Sequence, residues 1–192
     1  MPEGVNLCWC EPIIVHLREY RNPRHEYEVQ VPDGIAEILG CTGSTRWALS
    51  THPDIIGIGT GFKISLAHPN TGEGELGKII WVAATGRIGG SFQKLFDDWS
   101  KIERQDSERI HATDLRIDEP EQTSLSLLPA LHLKLARTEP EAGRMVYEVI
   151  VAESPGKDIA YQIGLVSPVD EYEKNQKLFK AIVDGFSYVP SG

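Results

Sequence analysis

The spacing of hydrophobic and polar positions changes period along this chain. Tyr27-Glu28-Val29-Gln30-Val31 alternates apolar with polar and stops at Pro32-Asp33-Gly34, as a strand entering a turn does. Phe62-Lys63-Ile64-Ser65-Leu66 alternates in the same way, and Ile13-Ile14-Val15-His16-Leu17 reads as a short edge strand. Lys78 to Ala84 is apolar on both faces, which predicts a strand in the centre of a sheet. The period then becomes helical. Phe92, Leu95, Phe96, Trp99 and Ile102 fall on one stripe, while Lys94, Asp97, Asp98 and Lys101 fall on the other. With Ser91 as N-cap, this predicts a helix over 91–104.

Alternation returns beyond that helix. Ile110 to Ile117 alternates weakly. Leu131, Leu133 and Leu135 interleave with His132 and Lys134. Met145, Tyr147, Val149 and Val151 form one face of a long strand, and Ile159, Tyr161, Ile163 and Leu165 form a face of the next. The Glu153–Asp158 segment, with Pro155-Gly156, reads as a hairpin turn between those two. Successive strands without crossover helices must pair antiparallel. A second helix is predicted over 170–184, burying Tyr172, Leu178, Phe179, Ile182, Val183 and Phe186. Asp170 and Glu173 have the spacing of a capping box, Gly185 sits at the helix stop, and the residues from Tyr188 onward read as a frayed tail. The expected architecture is α+β, one antiparallel sheet of six or more strands flanked by the two helices. It is expected as a single domain over 26–188, preceded by an N-terminal arm over 1–25.

Composition narrows the function classes. The 192 residues are 41% hydrophobic and 24% charged, which is an ordinary globular balance. The formal net charge of −9 argues against a nucleic-acid partner, because such binders carry a basic face. No apolar run reaches the length of a membrane-spanning helix. Cys8, Cys10 and Cys41 are the cysteines of the chain, too few and wrongly spaced for a zinc site. They read either as small buried residues or as a disulfide joining Cys41 to Cys8 or Cys10. The start, Met1-Pro2-Glu3-Gly4, has neither the basic nor the apolar segment of a signal peptide. A cytoplasmic protein and the mature form of a secreted one both fit.

Candidate chemistry is sparse. The turn Ala83-Ala84-Thr85-Gly86-Arg87-Ile88-Gly89-Gly90 resembles the glycine-rich pyrophosphate turn of short-chain reductases, with Ala83 in place of the first glycine. Its context opposes that reading. It lies mid-chain, the next strand supplies no well-placed acid for a ribose, and no strand–helix alternation follows. A tight turn from a strand into a helix is expected instead, and no cofactor. The histidines are scattered and show no metal-binding spacing, so no metal is expected. Cys41 and Ser44, in Gly40-Cys41-Thr42-Gly43-Ser44, are the nucleophile candidates of a small hydrolase, although no nucleophile elbow surrounds them. Trp47, His52, Asp54 and His68 fall in loop-rich segments that are expected to face a ligand. Trp81 and Trp99 are read as core.

The run from Tyr147 to Tyr188 is a strand, a Ser-Pro-Gly hairpin, a second strand, a Pro-Val-Asp-Glu-Tyr turn and an amphipathic helix ending in Phe179-Lys180-Ala181-Ile182-Val183-Asp184-Gly185-Phe186. With Arg24 to Gly34 as an opening strand and turn, this order resembles the PsbP-like family. That group includes an extrinsic photosystem II protein, a nuclear-import factor that binds the GTPase Ran, and many bacterial secreted proteins. The resemblance spans residues 27–34 and 78–188 and rests on packing positions. It implies an antiparallel sheet flanked by helices and a non-enzymatic binding or accessory role toward a protein or small-molecule partner. It also favours an extracytoplasmic location. No family catalytic motif carries over. The alternatives are the small hydrolase and a structural or oligomerisation domain.

Overall fold

The computed structural model describes residues 13–15, 19–22, 26–30, 38–40, 46–48, 58–65, 79–86, 90–155 and 159–190. Strands β1 (Ile13–Val15), β4 (Ile38–Gly40), β5 (Arg46–Ala48), β6 (Ile58–Ser65) and β7 (Ile79–Gly86) come from the first half of the chain. Strands β8 (Thr113–Ile117), β9 (Glu121–Leu125), β10 (Leu128–Glu139), β11 (Gly143–Glu153) and β12 (Ile159–Pro168) come from the second. Together they make a 10-stranded sheet in the order β1-β4-β6-β7-β12-β11-β10-β8, with β5 on β6 and β9 on β10. The pairings are antiparallel. The apolar Ile79–Gly86 strand lies between β6 and β12, as its two-sided apolar character predicts.

A second sheet corrects the expectation of a single one. Strands β2 (Glu19–Asn22), β3 (Tyr27–Gln30) and β13 (Phe186–Tyr188) form a three-stranded sheet in the order β13-β3-β2. Tyr188, read as the start of a frayed tail, and Phe186, read on the buried face of the second helix, are therefore strand residues: Phe186 pairs with Val29 and Tyr188 with Tyr27. Its aromatic residues explain why. Phe186 stacks on Tyr27 at 5.6 Å between ring centroids and lies 5.5 Å from Tyr161 of the large sheet. Burying these rings outweighs the entropy cost of ordering the three residues of this strand.

Helix α1 (Phe92–Arg109) covers one face of the large sheet. Ser91 caps it by accepting a hydrogen bond from the Lys94 amide at 3.2 Å. Gly90 precedes the cap at φ +103, in the left-handed region that favours glycine. Phe92, Leu95, Phe96 and Trp99 pack with Trp81 against Leu131, Leu133, Val149 and Val151. Gly164 opens the space for this layer, because a Cβ there would lie 2.0 Å from the Trp81 ring. Helix α2 (Tyr172–Asp184) covers the opposite face. The main core lies on this side, where Phe179 and Ile182 meet Ile80, Val82, Tyr161, Ile163 and Leu165. Its N-cap is Glu171 with no side-chain cap, so the Asp170–Glu173 box does not form. Gly185 ends the helix, its amide donating to the Ala181 carbonyl at 3.0 Å.

The first helix runs five residues past its predicted end. Its apolar stripe stops at Ile102, but the same face continues with Glu103, Asp106 and Ser107, at the i+3 and i+4 spacings of that stripe. Asp106 and Ser107 are buried. They face a charge on the sheet, so an apolar period cannot reveal them.

Candidate functional site

Strands β10 and β11 are paired from Ala130↔Ala152 to Glu139↔Gly143. Side chains alternate across a strand. Leu131, Leu133, Leu135 and Arg137 therefore face α1, and Ala130, His132 and Lys134 face the α2 side. A buried polar cluster sits on each face.

On the α1 face the hub is Arg137, whose side chain is 5% exposed. Its Nε donates to Glu139 Oε1 at 2.8 Å, and Nη1 donates to Ser107 Oγ at 3.2 Å and to Glu103 Oε2 at 3.4 Å. Nη2 reaches Asp106 Oδ2 at 3.0 Å and donates to the Tyr147 hydroxyl at 3.2 Å. The guanidinium also lies over the Tyr147 ring, 4.6 Å from its centroid. Tyr147 donates to Glu139, and Arg109 pairs with the other Asp106 oxygen. Burial opposes the Arg137 charge, but the oxygens of Tyr147 and Glu139 more than offset this and raise its pKa. Burial raises the Tyr147 hydroxyl, and its bond to Glu139 adds to the rise. Burial also works to raise Asp106. The Arg109 hydrogen bond and the Arg137 charge together outweigh it, and the carboxyl is held below its ordinary range. Glu103 differs. Burial and the neighbouring Asp106 and Glu139 charges outweigh Arg137 and push it up to about 7.

On the α2 face the hub is Glu148, whose side chain is 2% exposed. One oxygen lies 2.7 Å from His132 Nε2. The other accepts from the Tyr172 hydroxyl at 2.6 Å and from Gln176 Nε2 at 3.3 Å. Gln176 also donates to the Tyr172 oxygen at 2.6 Å. Lys134 Nζ sits 4.4 Å from the centroid of the Tyr172 ring. His132 Nδ1 is 3.6 Å from Glu121 Oε2 on the neighbouring strand. The Glu148 hydrogen bond is the main reason that His132 is raised above its ordinary pKa. Burial works to raise Glu148, and the His132 and Tyr172 hydrogen bonds outweigh it, leaving the carboxyl lowered. Nearby, Asn175 on the buried face of α2 donates to Ser167 Oγ at 2.8 Å.

Both clusters join a helix to the sheet, and their polar groups are directed at one another. Among the described residues no group of three or more histidine, cysteine, aspartate and glutamate side chains could hold a metal ion. The large apolar side chains most exposed there are Leu127 and Val169, at 91% and 48%. They lie at opposite ends of β10: Leu127 precedes its first residue, and the Val169 amide bonds to the carbonyl of Arg144, which pairs with Thr138. Single exposed apolar residues of this kind are normal.

The residues singled out in the sequence fall elsewhere. Cys8, Cys10 and Cys41, Ser44, His52, Asp54 and His68 lie outside the described residues. Trp47 was expected in a loop and lies instead in strand β5, because its backbone pairs antiparallel with Gly59 of β6. The reductase-like turn follows antiparallel β7, whose partners β6 and β12 are both antiparallel, so the parallel βαβ unit of a dinucleotide site is not built there. Sequence reading missed both hubs. Their signals were faint: Glu148 interrupts an apolar strand run, and Arg137 occupies a core-facing position in phase with Leu131, Leu133 and Leu135.

An antiparallel sheet with α1 on one face and α2 with the small sheet on the other defines the PsbP-like α+β fold. Comparison with solved structures bears this out. Cyanobacterial PsbP (CyanoP) from Synechocystis sp. PCC 6803 superposes with a TM-score of 0.59 at 11% identity, over 98% of this chain and 99% of that one. The Ran-binding protein Mog1p of Saccharomyces cerevisiae gives 0.50 at 15% identity, over 89% and 94%. LpqN of Mycobacterium tuberculosis, involved in cell envelope biogenesis, gives 0.50 at 13% identity, over 85% and 83%. No family model and no curated protein matches the sequence. Among the described residues no helix is long and apolar enough to cross a membrane.

Proposed function

We propose that this chain is a non-enzymatic binding or accessory module. Its partner, a protein or a small molecule, is recognised through the first half of the chain, by Trp47 of β5 together with His52, Asp54 and His68 of the loop-rich segments. The observation that carries this reading is the engagement of both buried polar clusters in holding helices to the sheet. Perturbed ionisable groups in a fold mark either a reactive site or structural ion pairs. Here each one in the two clusters contacts members of its own cluster, and Tyr161, raised by burial, packs against Tyr27, Phe186 and Tyr188. The shared fold supports the same reading, since Mog1p is a Ran-binding protein, although fold alone does not fix function. We further propose residues 1–25 as an arm on a 26–188 domain, an extracytoplasmic location, and a disulfide from Cys41 to Cys8 or Cys10. Thiol counting on the unreduced protein tests the last point, and three free thiols would exclude it.

The functional test is quantitative affinity capture from native extract. The bait is the full chain or its Trp47→Ala/His52→Ala/Asp54→Ala/His68→Ala variant. A partner retained by the first and lost from the second is the expected result. Ester or thioester hydrolysis abolished by Cys41→Ser or Ser44→Ala, with no partner captured, would replace this reading with the hydrolase.

A further inference from the structure

Two guanidiniums and three carboxylates meet between α1 and the sheet. Arg109 and Arg137 share Asp106, and Arg137 alone serves Glu139 and Glu103. One negative charge is therefore in excess in a place largely shut off from water. The geometry says which carboxylate carries it. Glu139 holds a 2.8 Å bond to Arg137 and also accepts the Tyr147 hydroxyl. Asp106 uses both oxygens, one on each arginine. Glu103 has the longest contact to Arg137, 3.4 Å, with its side chain 21% exposed. We propose that the C-terminal half of α1, residues 103–109, is a proton-dependent clamp that closes on Arg137 while Glu103 is protonated and loosens as Glu103 ionises.

The neighbouring charges are accounted for. Arg137 and Glu139 come from β10 and Tyr147 from β11, while Asp106 and Arg109 share the helix with Glu103. On β8, which also borders α1, Arg116 is paired with Asp118, and Asp114 accepts from the hydroxyls of Thr113 and Thr138. Lys101 and Arg104 are solvent-exposed. The helix is also held unevenly. Its first half is packed by Phe92, Leu95, Phe96 and Trp99, whereas its last turns bury Asp106 and Ser107 against Arg137. Local opening returns Glu103 to water, where its carboxyl ionises in the ordinary range. The open state therefore gains as pH rises from about 4.5 to about 7, and the gain levels off once the closed state has also given up its proton.

Amide hydrogen exchange on the full chain tests the clamp, read as protection factors between pH 6 and 8.5 so that the intrinsic pH dependence of exchange is removed. Protection over 103–109 is expected to fall by about tenfold across that range, while residues 92–99 stay unchanged. Glu103→Gln, near-isosteric and uncharged, is expected to abolish the fall. Glu139→Gln keeps Glu103 but removes one of the charges that push it up, so the fall is expected to shrink and to finish at lower pH. A flat profile in the unmodified protein, or the same fall in Glu103→Gln, would overturn the proposal.

Discussion

Strands β10 and β11 hold a polar cluster on each face, and the two clusters differ in charge balance. Toward α2, Glu148 meets His132, Tyr172 and Gln176, so one carboxylate has a cationic or neutral donor on each side. Toward α1, Arg137 is surrounded by Glu103, Asp106 and Glu139. Burial is comparable at the hubs, 5% for Arg137 and 2% for Glu148. What differs is whether the charges close. A closed cluster lowers its acid and raises its base, so each keeps its charge. A cluster with one acid too many leaves a carboxyl that holds its proton up to about 7. The α2 side therefore holds an ion pair between a lowered acid and a raised base, and the α1 side holds the carboxyl pushed up to about 7 on which the proposed clamp rests.

The hubs test this contrast most severely. Arg137→Met removes the cation from three carboxylates and is expected to cost about 3–5 kcal/mol in urea denaturation at pH 7. The cost should shrink at pH 5, where protonation begins to relieve the orphaned acids. Glu148→Leu leaves His132, Tyr172 and Gln176 without their acceptor, and a smaller loss of about 2–3 kcal/mol is expected. Equal pH dependence in the two variants would remove the distinction between the faces.

Glu103→Gln has the opposite sign. The folded pKa is raised above the unfolded one, so the contribution of this group is complete below about 4.5 and is lost as pH rises through about 7. Glutamine, which cannot ionise, should match the unmodified protein at about pH 4 and exceed it by about 1–3 kcal/mol at about pH 8.5. The α2 cluster should show the reverse at low pH. The Glu148 contribution is present above the ordinary carboxyl range and is lost as pH falls through its lowered pKa. The smallest effect is expected from Tyr172→Phe, which deletes one of the bonds to Glu148 at about 1 kcal/mol. A thermal melt detects it as a shift of a few degrees.

Much of the sheet was legible in the sequence because its strands alternate cleanly. Leu131, Leu133 and Leu135 gave β10, and Tyr161, Ile163 and Leu165 gave β12. The N-cap at Ser91 was legible from residue type and position. The last turns of α1 were not, because their buried face is polar and only has meaning opposite Arg137, some thirty residues away in the chain. Strand β13 was hidden for a similar reason: three residues show no period, and the pairing with β3 that makes them a strand spans most of the sequence. The clusters escaped too, since no local spacing links His132 to Glu148 to Tyr172. The resemblance to the PsbP-like family carried the layer order correctly, because packing positions determine layers.

The difference between the faces is read most directly from the two carboxyls themselves. In protein labelled with ¹³C at the glutamate side-chain carboxyls, a titration from pH 3 to 9 follows Glu103 and Glu148 in one sample, with Glu103→Gln assigning the first. Glu103 is expected to titrate near 7 and Glu148 below the ordinary carboxylate range. Both groups titrating together near the ordinary value would contradict the contrast between the two clusters and the clamp built on it.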